Sequence, residues 1–271
     1  MFTKINPTSW SIKCITAPTF RNRITGKMAV EFFRSTFNAT KGFSYPKNLI
    51  EKYKTELDIP IIHVWQEDNG FQKSQILNKA ILASTTDYLI FTDGDCIPRK
   101  DFVETHLNNR ETGRVLSGGY FMLPMNISKL ISKEDVLSQK CFDVNWLTQN
   151  GLKKSFKNNK LTAKDFKAKL LNFLTPTKPS WNGHNASGWK KDLVKINGFN
   201  QEMQYGGQDR ELGERLENLG IKGKQIRYSA ICVHLDHARG YVNPETWAKN
   251  NAIRMTKKHL FILLDLQRAY F

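Results

Sequence analysis

Residues Tyr88 to Pro98, YLIFTDGDCIP, form an apolar strand that runs straight into two carboxylates and a turn. Strand side chains alternate faces, so Asp93 and Asp95, two positions apart, are expected on the same side at the end of a buried strand. Hard divalent cations take such oxygen ligands, and Mg²⁺ commonly uses one or two carboxylates together with substrate phosphates. Asp-x-Asp by itself arises by chance in a chain of ordinary composition. A solvated Asp-Gly turn is the bland reading of the same residues. The apolar run before the acids, the glycine between them and Cys96-Ile97-Pro98 behind them favour a site.

The flanking pattern sets the fold class. Asn48 to Leu57 reads as a helix end, and Ile59 to Trp65 as a strand with Pro60 tolerated near its start. Lys73 to Ser84 carries Ile76, Leu77, Ala80 and Ile81 at helical spacing, and Asp101 to Arg110 reads as a further helix. Val115 to Met122 and Arg227 to Leu235 are strand-like, and Glu211 to Leu219 is a helix stopped by Gly220. Strands alternating with helices predict an α/β fold on a mostly parallel sheet. Ligands of such sheets bind beyond the carboxyl ends of the strands, where the two aspartates lie. Residues 126–180 change character, being polar and lysine-rich with Pro176 and Pro179 at their end, and predict a helical, mobile insertion. The domain expected is 48–245. An atypical basic segment, 1–47, precedes it, and an amphipathic helix, 246–271, follows.

Charge and cysteine usage narrow the function classes. The 271 residues carry a net charge of +16, which favours anionic partners. Lysines crowd 153–169 and basic residues crowd the C-terminal segment, but no nucleic-acid-binding signature accompanies them, so no nucleic-acid partner is expected. Cys14, Cys96, Cys141 and Cys232 have no CxxC spacing, which argues against a zinc site and for reduced thiols in a cytosol. Neither a signal peptide nor a membrane-spanning run is legible, so a cytoplasmic location is expected. The basic, aromatic C-terminal helix has two fates: peripheral contact with an anionic inner-membrane surface, or packing on the sheet.

Four blocks stand in order along the chain: QEDNGFQKSQILNKAI, YLIFTDGDCIP, WNGHNASGWKKDLVKINGFN, and GGQDRELGERLENLGIK with HLDHAR behind it. On these blocks the chain from Asn48 to about Gly240 resembles the family 2 glycosyltransferases, nucleotide-sugar-dependent enzymes of the GT-A fold. Within them it is most similar to bacterial members that build lipopolysaccharide core, capsule or other surface glycans. The resemblance implies a nucleotide-diphospho-sugar donor, a glycan or lipid-linked acceptor, and Mn²⁺ or Mg²⁺ held by Asp93 and Asp95, with Asp93 nearer the ribose. It puts Gln66, Glu67, Gly70, Lys73 and Asn78 at the base and ribose of the donor. Trp181, Asn182, Gly183, His184 and Asn185 match the segment lining donor sugar and acceptor. Asp209 matches the catalytic base of an inverting displacement. His237, rather than His234, matches a third metal ligand.

Bland readings of the same residues remain open. Asp209 would serve as a helix cap, Trp181 as core, and either histidine as a structural residue. The same aspartates suit a nucleotidyltransferase or a metal phosphoesterase, and a non-catalytic remnant or glycan-binding module would keep the fold without the reaction. Met1 to Lys47, with eight Lys and Arg against a single acid, contain neither of the family's first two strand ends. Weak donor binding is therefore expected.

Overall fold

In a computed structural model the residues described are 15–16, 44–56, 61–66, 70–237 and 243–256. Among the described residues, eight strands form two sheets. A five-stranded sheet has the order β1 (Ile15–Thr16), β2 (Tyr88–Phe91), β6 (Ala186–Trp189), β4 (Arg114–Ser117), β7 (Lys222–Gln225). A three-stranded sheet has the order β3 (Cys96–Pro98), β8 (Ile231–His234), β5 (Gly119–Met122).

The helices expected at 73–84, 101–110 and 211–219 are present as Lys73–Ala83, Phe102–Asn109 and Gln208–Asn218. The sheet is mixed rather than mostly parallel: β4–β7 and β5–β8 are parallel, and the other described pairings are antiparallel. The strand expected at 59–65 is absent from its described part, Ile61 to Trp65, which makes no ladder. The reason lies at β2. One edge of β2 pairs with β6 and the other with Ile15–Thr16, Ile15 opposite Ile90 and Thr16 opposite Leu89, so no edge is left for a parallel neighbour. Apart from those two residues, the segment 1–43 lies outside the described residues, as does the C-terminal segment beyond Thr256.

The strand expected over 115–122 is two strands, because the chain changes sheets at Gly118. A Cβ there would lie 1.9 Å from Asn185 Oδ1, so only glycine permits the corner. Two further short passages link the sheets: the turn after β2, closed by Cys96 N–H on the Asp93 carbonyl at 3.1 Å, and the turn at 226–230. All three passages bring the ends of strands from both sheets to one seam.

Each sheet has its own core. Ile76, Leu77, Ile81, Leu89, Phe91, Val115, Leu193, Leu212 and Leu216 pack the helices Lys73–Ala83, Lys190–Lys195 and Gln208–Asn218 on the larger sheet. Ile97, Phe121, Leu123, Ile127, Leu147, Leu161, Ile231 and Val233 pack the smaller sheet under the short helices of 125–162. Those helices start where their caps say they should. Ser132 and Asp135 form a reciprocal capping box, and Asp143 accepts from the backbone of Asn145 and Trp146. A third cluster, Tyr88, Ile90, Cys96, Phe102 and Cys232, joins the two cores.

Candidate active site

The apolar strand β2 delivers Asp93 and Asp95 to the seam, but the two carboxylates part company there. They sit in a turn rather than on the strand, so strand alternation does not govern them. Asp93 pairs with Lys73, Nζ to Oδ1 2.8 Å, at the first turn of Lys73–Ala83. Lys73 is 5 % exposed. Burial alone would lower its pKa, but the carboxylates of Asp93, Asp209 and Asp95 outweigh burial and hold it above the ordinary lysine value. Lys73 is therefore a fixed positive charge at the centre of three acids.

Asp95 turns to the histidines that follow β8. Its Oδ2 lies 3.1 Å from His237 Nε2 and 3.3 Å from His234 Nε2, and the two imidazoles stack with planes 16° apart. Burial pushes the Asp95 carboxyl up; the hydrogen bond from His237 and the charges of His234, His237 and Lys73 outweigh it and hold it below the usual value. Asp95, His234 and His237 each offer a ligand atom, all within 4.8 Å of one another, and among the described residues they are the group so placed. Asp93 stands outside that group.

The donor set fits a divalent cation. His234 Nδ1 faces the Leu235 carbonyl at 2.9 Å, and a carbonyl only accepts, so Nδ1 carries the proton. That leaves Nε2 aimed at the Asp95 carboxylate, 3.3 Å away, where a proton or a metal ion bridges the two, and a fixed Nδ1–H is the arrangement that orients a ligating imidazole. Ligand atoms about 3 Å apart are neighbours in one octahedral shell with bonds of about 2.1 Å.

Asp209 arrives from the larger sheet's side. Gly206 and Gly207, with φ of 110° and 86°, turn the chain into Gln208–Asn218, and Asp209 stands in that helix's first turn, where the helix dipole also favours it. Base and cap are thus compatible. Its carboxylate rests on Gly183: a Cβ at 183 would lie 2.8 Å from both carboxylate oxygens. Burial raises the Asp209 pKa above the ordinary value, against the pull of Lys73. Its Oδ1 is buried with no hydrogen-bond partner. An acceptor atom buried without a donor is costly unless something supplies the proton.

The remaining sequence-derived residues divide. Asn182 is half-buried, donating to Ser117 Oγ at 3.1 Å and accepting from Asn185 N–H at 2.8 Å. Gln66 donates to the Gln72 carbonyl at 3.3 Å while its Oε1 has no partner, and Gly70 turns the chain with φ 89°. Glu67 lies outside the described residues. Three others are interior. Asn78 exchanges hydrogen bonds with the Phe199 backbone, and Trp181 is enclosed against Phe91 and Phe199. Asn185 donates to the Gly119 and Ala230 carbonyls and engages His106 Nε2. These side chains position the site and do not face it.

Two more residues join the cluster: His184, from the segment expected to line the sugars, and Tyr120, which the sequence blocks did not single out. His184 lies in the field of Asp93, His234, Lys73 and Asp95, and burial takes its pKa down to about 4, so it is neutral near pH 7. Tyr120 places its ring 4.6 Å from that of His184 and 6.0 Å from that of His234. The alternation of Gly119–Met122, with Tyr120 exposed between buried Gly119 and Phe121, was the signal available for it.

A search of curated proteins gives no match. Among solved structures, a mannosyltransferase, PcManGT from Pyrobaculum calidifontis, in complex with GDP-Man and Mn²⁺ superposes with a TM-score of 0.47 and 16 % identity over 81 % of this chain. GalNAc-T7 with UDP, GalNAc and Mn²⁺ gives 0.49 and 11 % over 78 %. The chain spans 51 % of the first and 39 % of the second. Residues 44–130 match the family model described as Glycosyl transferase family 2, and the helix of Lys73, the strand β2 and both aspartates all lie within the matched span.

Proposed function

We propose that the chain is a metal-dependent, inverting glycosyltransferase that moves a sugar from a nucleotide-diphosphate donor to an acceptor hydroxyl. The observation that carries this reading is the meeting, within and beside the matched region, of a cation-ready Asp95–His234–His237 set, the Lys73–Asp93 pair and the partnerless Asp209 oxygen. A bound Mn²⁺ or Mg²⁺ would neutralise charge on the departing diphosphate. In this reading Asp93, held by Lys73, serves the ribose side, and Gln66 and Gly70 serve the base, together with Glu67 from outside the described residues. Asp209 takes the proton of the acceptor hydroxyl as its oxygen attacks the anomeric carbon. The bond from that carbon to the diphosphate oxygen breaks on the far face, and its electron pair leaves with the diphosphate, which inverts the centre. In this reading neutral His184 and Asn182 are the partners of sugar hydroxyls.

The acceptor class we favour is a glycan or lipid-linked glycan of surface polysaccharide or lipopolysaccharide synthesis, reached from the cytoplasmic side. Cys96, Cys141 and Cys232, all free and buried, are in keeping with a reducing compartment. Peripheral contact of 246–271 with anionic membrane belongs to the same proposal, and its support is the composition of that segment. Among the described residues no helix is long and apolar enough to cross a membrane.

The test is nucleotide release from nucleotide-sugars with Mn²⁺, with and without acceptor, in wild type, Asp95→Ala and Asp209→Asn. Asp95→Ala should lose metal-dependent turnover by at least about a hundredfold. Turnover unchanged in both variants would refute the reading. Activity on nucleoside triphosphates instead of nucleotide-sugars would point to nucleotidyl transfer.

A further inference from the structure

The helix Asp165–Leu174 presents an apolar stripe to solvent. Its inner side is fixed to the protein. Ala168 and the half-buried Leu171 pack with Ala163 and Tyr228, while Asn172 donates to Ser229 Oγ and accepts from Tyr228 N–H. At about 100° per residue, positions 168, 171 and 172 share one face. Phe166, Leu170, Phe173 and Leu174 fall on the opposite face and are 76 %, 42 %, 86 % and 60 % exposed. Lys167 and Lys169 project between the two faces, one on each flank of the stripe, and both are exposed.

The charge around the stripe is of one sign. Residues 153–178 hold eight lysines against one acid, Asp165. Among the described residues neither Lys167 nor Lys169 is in an ion pair. Exposed phenylalanines usually mark a partner surface. A second copy is a poor occupant, because an isologous two-fold contact would bring this lysine-rich stretch against itself. An apolar stripe edged by lysines is the form of an interfacial helix: rings and leucines enter the headgroup boundary while lysine stems extend to anionic headgroups.

We propose that the outer face of Asp165–Leu174 docks on an anionic lipid surface. The surface is built from a different stretch of sequence than the C-terminal segment and is independent of the reaction assigned to the site. It has a bearing on that site all the same. Lys160, in the same lysine run, donates to the Tyr120 carbonyl at 3.1 Å, and Tyr120 meets the His184 ring edge to face. The basic stretch thus runs from the docking face to the edge of the site, which suits an acceptor presented from the membrane plane.

The experiment is vesicle co-sedimentation of the full chain, with neutral phosphatidylcholine vesicles and with vesicles carrying about 30 % anionic phosphatidylglycerol. Two double variants are compared with wild type: Phe166→Ser with Phe173→Ser, and Lys167→Glu with Lys169→Glu. Wild type should bind the anionic vesicles and release as salt rises from about 0.1 M to about 0.5 M. Each double variant should bind at least about tenfold more weakly while keeping the wild-type circular dichroism. The charge reversal keeps the idea testable should the serine variant fold poorly. Wild type binding neither vesicle, or both variants binding within about twofold of wild type, as association through the C-terminal segment alone would give, overturns the proposal. A dimer in sedimentation velocity that the serine variant abolishes would assign the stripe to a second copy and also overturn it.

Discussion

Gly183→Ala isolates the placement of Asp209 from everything else about it. Gly183 does not occupy the left-handed region, so alanine adds no backbone strain, and the nearest atoms a Cβ would crowd are those of the Asp209 carboxylate. At 2.8 Å from both oxygens the methyl is well inside van der Waals contact, so the carboxylate must retreat by about half an ångström or more. A base displaced on that scale loses reach to the acceptor hydroxyl, and misplacement of about 1 Å costs roughly a hundredfold. We expect kcat to fall between about tenfold and a hundredfold with the donor KM nearly unchanged. Steady-state nucleotide release at saturating donor, with thermal melting as the folding control, is the assay. A folded Gly183→Ala with wild-type kcat would refute the assignment of Asp209 as base. A loss confined to donor KM would move Gly183 and Asp209 to donor binding.

Because burial raises the Asp209 pKa and a base must be deprotonated, kcat/KM should climb with pH on an acid limb displaced above the ordinary aspartate range; a limb that survives in the residual activity of Asp209→Asn belongs to another group. His106, fully buried between Ser187 and Asn185, has its pKa lowered by burial to about 4. The folded pKa is depressed below the unfolded one, so the neutral ring's full stability is present above about pH 6.5 and is lost as pH falls toward 4; about 3 kcal/mol is at stake, of which roughly 2 is gone by pH 5. Urea unfolding at pH 7 and pH 5 measures this, and an unchanged difference between wild type and His106→Asn at the two pH values would contradict it. Asn185→Ala should cost roughly 2 kcal/mol in the same assay, since it removes the amide's hydrogen bonds to the Gly119 and Ala230 carbonyls and leaves buried His106 Nε2 without its partner.

The sequence made the local elements legible where periodicity decides them, and less so where long-range pairing does. The helix beginning at Lys73 and the strand at Tyr88 follow from apolar spacing alone. The strand expected at 59–65 fails because pairing is a contest for edges, and Ile15–Thr16, from a segment with no strand pattern, holds the edge in question. The break at Gly118 is invisible locally, because its cause, the Asn185 amide, stands 67 positions downstream. Within the site the chemistry-bearing residue types could be named, but not their pairing. Asp93 and Asp95 read as one unit, yet one belongs to a lysine and the other to two histidines. His234 and His237 read as rivals, yet both lie on one carboxylate. Asn78, Trp181 and Asn185 read as contact residues because amides and aromatics suit sugars; the same properties let them fill and satisfy an interior.

The seam between the two sheets has a thermodynamic consequence. Each sheet has its own hydrophobic core, and the passages at 92–95, 118 and 226–230 are too short to act as independent hinges. Lys73, Asp93 and Asp209 are tethered to the larger core, and Asp95, His234 and His237 to the strands of the smaller one. Any ligand that grips both groups at once ties the melting of one core to the melting of the other. Occupancy of the site should therefore be readable far from it, as slower amide exchange in strands that no ligand touches.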